Sequence, residues 1–423
     1  MPFIHQQIAY MLTDAYTDTL LFLVIAAICC ALLVLSTIAP KKLQEKSKLR
    51  PHRTTRDKIT HLASKRGPTF STTFLGTRLF HVTTYESACK ILTDKDAGGD
   101  KGFNYIHFSP LFGKSSVFTQ PLSSWWPSRK HINRHVFSKT QISPLPPLIS
   151  QTLTLRLSSL PLGTPLPILP RLQLLTLEII FSHILSLPLY SIHSPSTVSA
   201  YISALMSLRI TLLKTSKDYK YYLTPSIIYR QFPLGSSVHS SSLVVRKFIL
   251  ESLESSPPHS IINSLPGSSS YKIDQLSTLL FAGTDTSSSS ISWWMLQYPS
   301  SNSTMNLSEE IKEAARRKPV APMVVRRVER GVECDGVLVK GNVVVWLNAV
   351  GMSAQEEIPE VQFGVGRRGC PGREIGRMIV KMTAEWMREK YEWETVEKKL
   401  EEEGEEGFTC VPGRGAEIIL RKK

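Results

Sequence analysis

The sequence predicts a mainly α protein with small β-sheets, and three patterns predict it. Residues 172–185 are apolar nearly all round, as a buried helix is. Residues 274–297 form a second long apolar helical run, in which residues 283–286 read as an interruption, and residues 372–391 form a patterned one. Between these runs lie short stretches such as residues 72–82 around Gly76, which alternate like a hairpin, and residues 337–346, which read as β. Of the 423 residues, 42% are hydrophobic, which supplies a sizeable core and excludes global disorder.

Residues 20–38 are uninterruptedly apolar or small, and at 1.5 Å rise per residue they reach roughly the ~30 Å of a bilayer core. Lys41, Lys42, Lys46, Lys48 and Arg50 follow, whereas only Asp14 and Asp18 carry charge before. The positive-inside rule then gives residues 1–19 as a short luminal N-terminus, 20–38 as a retained transmembrane anchor, 39–66 as a basic linker, and a cytosolic body over 67–423. A cleaved signal peptide would want a basic start and a shorter apolar core.

Within the body, residues 85–92 read as a short helix. Residues 191–270 are Ser/Tyr/Pro-rich with irregular period and one helical piece at 244–253. Residues 308–318 form a charged helix closed by Pro319, and residues 398–407 an acidic surface loop. The net charge of +15 fits attraction to anionic lipid, and no nucleic-acid fold signature accompanies it. The six cysteines form no Cys-x-x-Cys pair and no disulfide framework, as in a reducing compartment.

The strongest chemical signal is the loop Phe363-Gly364-Val365-Gly366-Arg367-Arg368-Gly369-Cys370-Pro371-Gly372. A metal-binding thiolate needs a lowered pKa. Glycines let backbone N–H groups approach its sulfur, and the following helix offers its positive end. Phe-x-x-Gly-x-Arg-x-Cys-x-Gly resembles the haem-binding loop of the cytochrome P-450 superfamily. The resemblance implies haem b (iron protoporphyrin IX) on Cys370, with Phe363, Gly366, Arg368 and Gly372 around it. It extends to Phe281-Ala282-Gly283-Thr284-Asp285-Thr286, similar to the family's oxygen-activating stretch. There a small residue and a mid-helix glycine would open a groove for dioxygen, and Asp285 and Thr286 would relay protons. Glu313 and Arg316 resemble the Glu-x-x-Arg pair, one helix face apart. Arg327 resembles a strand arginine that contacts a haem propionate. Trp126 with Lys130 resembles the Trp-x-x-x-Arg helix, with lysine in the arginine place.

The implied function is insertion of one oxygen atom of dioxygen into a hydrophobic small molecule. Electrons would come from NADPH through a separate flavoprotein reductase docked on Arg129, Arg134, Arg367 and Arg377, at the endoplasmic reticulum membrane. Two intervals, residues 287–312 and 352–362, are shorter than the family pattern, and the second lacks the arginine that completes the Glu-x-x-Arg triad. If Glu313 and Arg316 are buried, that leaves an incompletely satisfied charge cluster. The shortening fits either a shortened form of an active enzyme or a diverged member with impaired haem loading. A haem-thiolate isomerase or lyase acting on peroxides, and a non-catalytic truncated haem-binding membrane protein, stay open as alternatives.

Overall fold

A computed structural model describes residues 55–74, 77–94, 100–101, 103–300, 305–352, 362–396, 404–413 and 415–423. The expected anchor at 20–38, most of the linker, residues 353–361 and most of the acidic run lie outside the described residues. The body is one compact unit, Thr54–Lys423.

Helices of nine residues or more are α1 (Thr55–Arg66), α2 (Tyr85–Thr93), α3 (Leu122–His135), α4 (Leu145–Leu157), α5 (Ile168–Leu185), α6 (Pro195–Thr215), α7 (Pro233–Glu254), α8 (Ser269–Gln297), α9 (Leu307–Arg317) and α10 (Arg373–Lys390). Strands β1 (Thr69–Phe74), β2 (Thr77–Val82), β7 (Val343–Asn348) and β4 (Met323–Val328) form one sheet in that order, with only β2 and β7 parallel. Strands β3 (Pro165–Pro167), β11 (Glu417–Lys422) and β8 (Tyr391–Thr395) form a second sheet. Among the described residues there are two further hairpins, β5–β6 (Val332–Cys334, Val337–Val339) and β9–β10 (Gly404–Glu406, Cys410–Pro412). The mainly α expectation therefore holds.

Three expectations shift. The last part of the linker is helix α1. Residues 191–270 carry two of the longest helices, because α6 and α7 pack on each other and need only one apolar stripe each. Gly404–Glu406, expected in a loop, is a strand.

The core is built on α5 and α8. Helix α5 is buried around most of its circumference, which is why its sequence shows no polar face. Helices α5 and α6 are long and apolar enough to cross a membrane by length and composition, but both belong to this packed unit. Helix α8 starts at Ser268, whose hydroxyl accepts from the Tyr271 N–H at 3.3 Å, and runs unbroken through residues 283–286. Gly283 does not interrupt it. A Cβ there would lie 2.7 Å from Ile180 Cγ1, so this glycine lets α5 and α8 approach closely. Thr176 Oγ1 donates across the same contact to the Thr284 carbonyl at 3.0 Å.

Candidate functional site

The cysteine loop is tied by its own backbone. Cys370 N–H donates to the Phe363 carbonyl at 2.8 Å and Gly369 N–H to Gly366 at 3.0 Å. Gly366 sits at φ +74°, and a Cβ there would meet the Leu92 carbonyl oxygen at 2.0 Å. Only glycine satisfies both constraints. Arg373 donates to the Gly364 carbonyl at 2.6 Å, and Arg373 and Arg377 flank the half-buried Phe363 ring at 5.7 and 5.5 Å. Gly372, at the N-cap of α10, leaves ordinary contact distance to the Phe137 ring.

Cys370 keeps accessible surface. The protein packed around it pushes its thiol up, while the Gly372 N–H, Arg129 and Arg373 pull the other way. Burial wins and the net direction is upward, against the lowered value expected from the sequence, so the thiolate would depend on the charge of a bound cation.

The arginine helix fits one residue earlier than the sequence reading placed it. Trp126 is 45% exposed, with the exposed Lys130 over its ring and the Trp125 ring beside it. Trp125, 3% exposed, is the inward residue, in step with Ser128 and Ile132. The Arg368 guanidinium lies 4.1 Å over the Trp125 ring and that of Arg129 5.9 Å from it. Arg129 donates to the Gly369 carbonyl at 2.7 Å, so it supports the loop from within and leaves the expected docking face. Trp125 and Arg129 complete Trp-x-x-x-Arg without the lysine.

The strand arginine moves by one residue too. Arg327 points outward, its backbone N–H bonded to the Asp100 carbonyl at 2.9 Å. Arg326, 4% exposed, points inward. Side chains alternate across a strand, so Arg326 shares its face with the buried Val328.

Arg326, Arg368, Arg129 and Lys101 thus converge. Burial, then Arg368, Arg326 and Arg129, push the Lys101 ammonium well down. Its Nζ lies 4.3 Å from the Tyr105 ring and 3.9 Å from the Phe118 ring, and donates to the Phe118 carbonyl at 3.1 Å. Burial and the neighbouring Arg326 hold Arg368 at about 10, with Asp100 acting against them. The Nε atoms of Arg129 and Arg326 are buried without a hydrogen-bond partner. Buried like charges with orphaned donors are costly unless an anion joins them. The arrangement fits a dianionic group lying beside the cysteine loop, as the two propionates of haem would.

On α8, Ala282 is exposed although Leu280, Phe281, Thr284 and Asp285 around it are buried. Thr286, one turn on, is half-buried, and its Oγ1 donates to the Ala282 carbonyl at 2.6 Å. The open stretch of the helix is therefore at Ala282, while Gly283 serves helix packing. Asp285 points elsewhere. It is fully buried, accepts from Thr409 Oγ1 and faces Arg209 of α6, and burial pushes its carboxyl up. The structure does not place Asp285 and Thr286 side by side on one surface.

Glu313 and Arg316 pair as expected, at 2.6 and 2.7 Å. They are not deeply buried, and Arg317 supplies a further partner at 2.7 Å. Arg316 first, then Arg317, hold the Glu313 carboxyl at about 2. The expected shortage of a third partner does not arise. The fully buried acid of α9 is Glu310, which Arg388 of α10 and the Trp294 indole satisfy.

The sequence reading missed Trp125, Arg326, Lys101 and the role of Arg129 inside the site. A signal was present for two of them: Trp125 and Arg129 stand four apart as the motif asks, and Trp125 shares a helix face with Ser128 and Ile132. Lys101 carries no local signature.

A family model described as Cytochrome P450 matches residues 44–303, more than half of the chain, with the cysteine loop beyond that stretch. Cytochrome P450 705A1 of Arabidopsis thaliana is 28% identical over an alignment of 142 residues, with coverage of 25% of this chain and 28% of that protein. The chain thus aligns with little more than a quarter of that curated relative. A solved structure, retinoic acid bound cyanobacterial CYP120A1, superposes with a TM-score of 0.65 at 15% identity, covering 86% of this chain and 93% of that one. At that identity the likeness is one of fold.

Proposed function

Because the chain belongs to the cytochrome P450 family, we propose that it is a haem-thiolate monooxygenase that inserts one oxygen atom of dioxygen into a hydrophobic small molecule. The observation that carries this reading is the convergence of Arg129, Arg326, Arg368 and Lys101 beside the Cys370 loop. Those four basic side chains would hold the haem propionates, with the Trp125 ring orienting two of the guanidinium groups. Cys370 would ligate the iron through its sulfur. Bound haem supplies the iron at which dioxygen is activated, with a thiolate donating electron density to it.

The protein residues divide the remaining work. The Gly372 N–H, Arg129 and Arg373 favour the anionic form of the Cys370 sulfur. Ala282 leaves space on α8, and the Thr286 hydroxyl next to it can hold and pass a proton at Oγ1. Asp285, turned toward Thr409, would enter a proton path only after leaving that contact. Electrons would come from NADPH through a separate flavoprotein reductase, which the exposed Arg134, Arg367 and Arg377 would meet. Residues 20–38 would anchor the chain in the endoplasmic reticulum with the body in the cytosol.

The test is the carbon monoxide difference spectrum of the reduced full chain. We expect a strongly red-shifted Soret band that is absent in Cys370→Ser, and substrate oxidation that needs both dioxygen and NADPH. A chain without that band refutes thiolate-ligated haem, and turnover of peroxides without NADPH favours the isomerase class instead.

A further inference from the structure

Helix α7 packs on α6 and α8 and buries Val238, Val245, Phe248 and Ile249 there. A helix docked on one side is ordinarily polar on the other. The outward face of α7 is not. Leu243 is 57% exposed, Val244 40% and Leu250 37%, and Leu243 and Leu250 stand two turns apart on one face. Ser236, Ser240, Lys247 and Glu254 are exposed along the same face, so the three apolar side chains stand among polar ones. A single exposed leucine is ordinary, but an apolar strip rimmed by polar residues marks an interaction surface.

The charges of α7 point to what covers the strip. Glu251 and Glu254 occupy the last turn, where the helix dipole is negative, and no basic residue shares that turn. Lys247 reaches Glu251 only at 3.8 Å. The first turn holds no acid, and its N-cap, Phe232, makes no side-chain cap for the N–H groups there. Each end of the helix therefore lacks what the other end carries. A second α7 laid antiparallel supplies both. With Leu243 of one copy against Val244 of the other, Glu254 comes to the N-terminal turn at Pro233, Glu251 to Ser236, and Lys247 to the Ser240 hydroxyl. A parallel pair would instead set Lys247 against Lys247 and Glu254 against Glu254. An anionic lipid surface fits worse, because Glu251 and Glu254 outweigh Lys247.

We propose that the outward face of α7 is a self-association surface, on which a second copy of this chain packs its own α7 antiparallel about a two-fold axis between Leu243 and Val244. One patch meets its own copy, so the contact closes at two chains. The inference uses no residue of the haem-thiolate reading and stands apart from it.

The experiment uses the full chain in phosphatidylcholine vesicles, with the unaltered chain as the baseline for its native cysteines. Oxidation of Leu243→Cys gives disulfide-linked dimers roughly tenfold faster or more than Leu155→Cys, because the contact raises the local thiol concentration. Leu155 is the reference because it is 61% exposed on α4. Energy transfer between donor- and acceptor-labelled chains then measures association. Leu243→Glu lowers the association constant roughly tenfold or more, as a charge at the centre of a contact does. Ser236→Asp separates the interface from the fold. An acid in the first turn favours the helix by itself, so Tm holds or rises, yet it faces Glu251 of the second copy and weakens association roughly 2- to 5-fold. Crosslinking of Leu243→Cys no faster than that of Leu155→Cys, or association unchanged in Leu243→Glu, overturns the surface. Quenching of a label on Leu243→Cys by brominated lipid puts the face in the bilayer and overturns it too. Association unchanged or strengthened in Ser236→Asp overturns the antiparallel arrangement.

Discussion

Glu310→Leu is expected to loosen the docking of α9 on α10, the helix that follows the cysteine loop. Glu310 is completely buried and takes both oxygens to Arg388, one at 2.6 Å, while the Trp294 indole donates to Oε2 at 3.0 Å. Breaking a buried pair from one side costs about 3–5 kcal/mol, and the lower end applies here because Arg388 opens partly to solvent. The orphaned Trp294 N–H adds ~1 kcal/mol, for a total of about 4 kcal/mol. An unfolding entropy of roughly 2.1 cal/mol/K per residue over a unit of this size makes that a fall in Tm of about 5 °C. Scanning calorimetry at fixed rate measures it. In Glu310→Leu/Arg388→Met most of the loss returns, because an apolar pair of similar volume avoids the desolvation both charges suffered. A shift below ~1 °C in the single variant, or a double variant less stable than either single, refutes the reasoning.

Two further outcomes follow from the same geometry. Trp125→Ala weakens haem retention about tenfold or more by removing the surface under Arg368 and Arg129, whereas the exposed Trp126→Ala stays within about twofold; transfer of haem to apomyoglobin measures both, and equal losses would restore the Trp126 reading. Glu313, held down from 4.5 to about 2 by Arg316, contributes stability that is present above 4.5 and lost as pH falls toward 2. Its half-exposed setting limits this to on the order of 1 kcal/mol, so Glu313→Gln and the unaltered chain differ in Tm near neutral pH and converge in acid; a difference that persists at pH 2 contradicts the linkage.

The C-terminal end of α8 is tied to β8 by hydrogen bonds. Ser300 N–H donates to the Trp393 carbonyl at 3.2 Å, and its hydroxyl accepts from the Trp393 N–H at 2.9 Å. The Trp393 indole donates to Met295 at 2.9 Å, joining the C-terminal end of α8 to β8. Ser300 is thus stitched to β8, and α9 starts with an Asn306–Glu309 capping box.

The sequence alone determined the helix-rich class, the buried α5 and α8, and the cysteine loop with its glycines. Each of these is local: an apolar run longer than a strand, a residue type demanded by positive φ, a thiol ahead of a helix start. It left the neighbouring Trp125/Trp126 and Arg326/Arg327 choices open. Adjacent residues point about 100° apart on a helix and to opposite faces of a strand, and which face is inward was settled by what packs there: Arg368 over Trp125, and Val328 beside Arg326 in the sheet. The same holds for Asp285, whose place in the motif suggested a relay while its partners, Thr409 and Arg209, come from chain segments far away in sequence. Lys101 carries no motif at all. It gained meaning only when the fold brought it beside Arg129, Arg326 and Arg368, because charge repulsion acts over a few ångströms of space and takes no account of sequence distance.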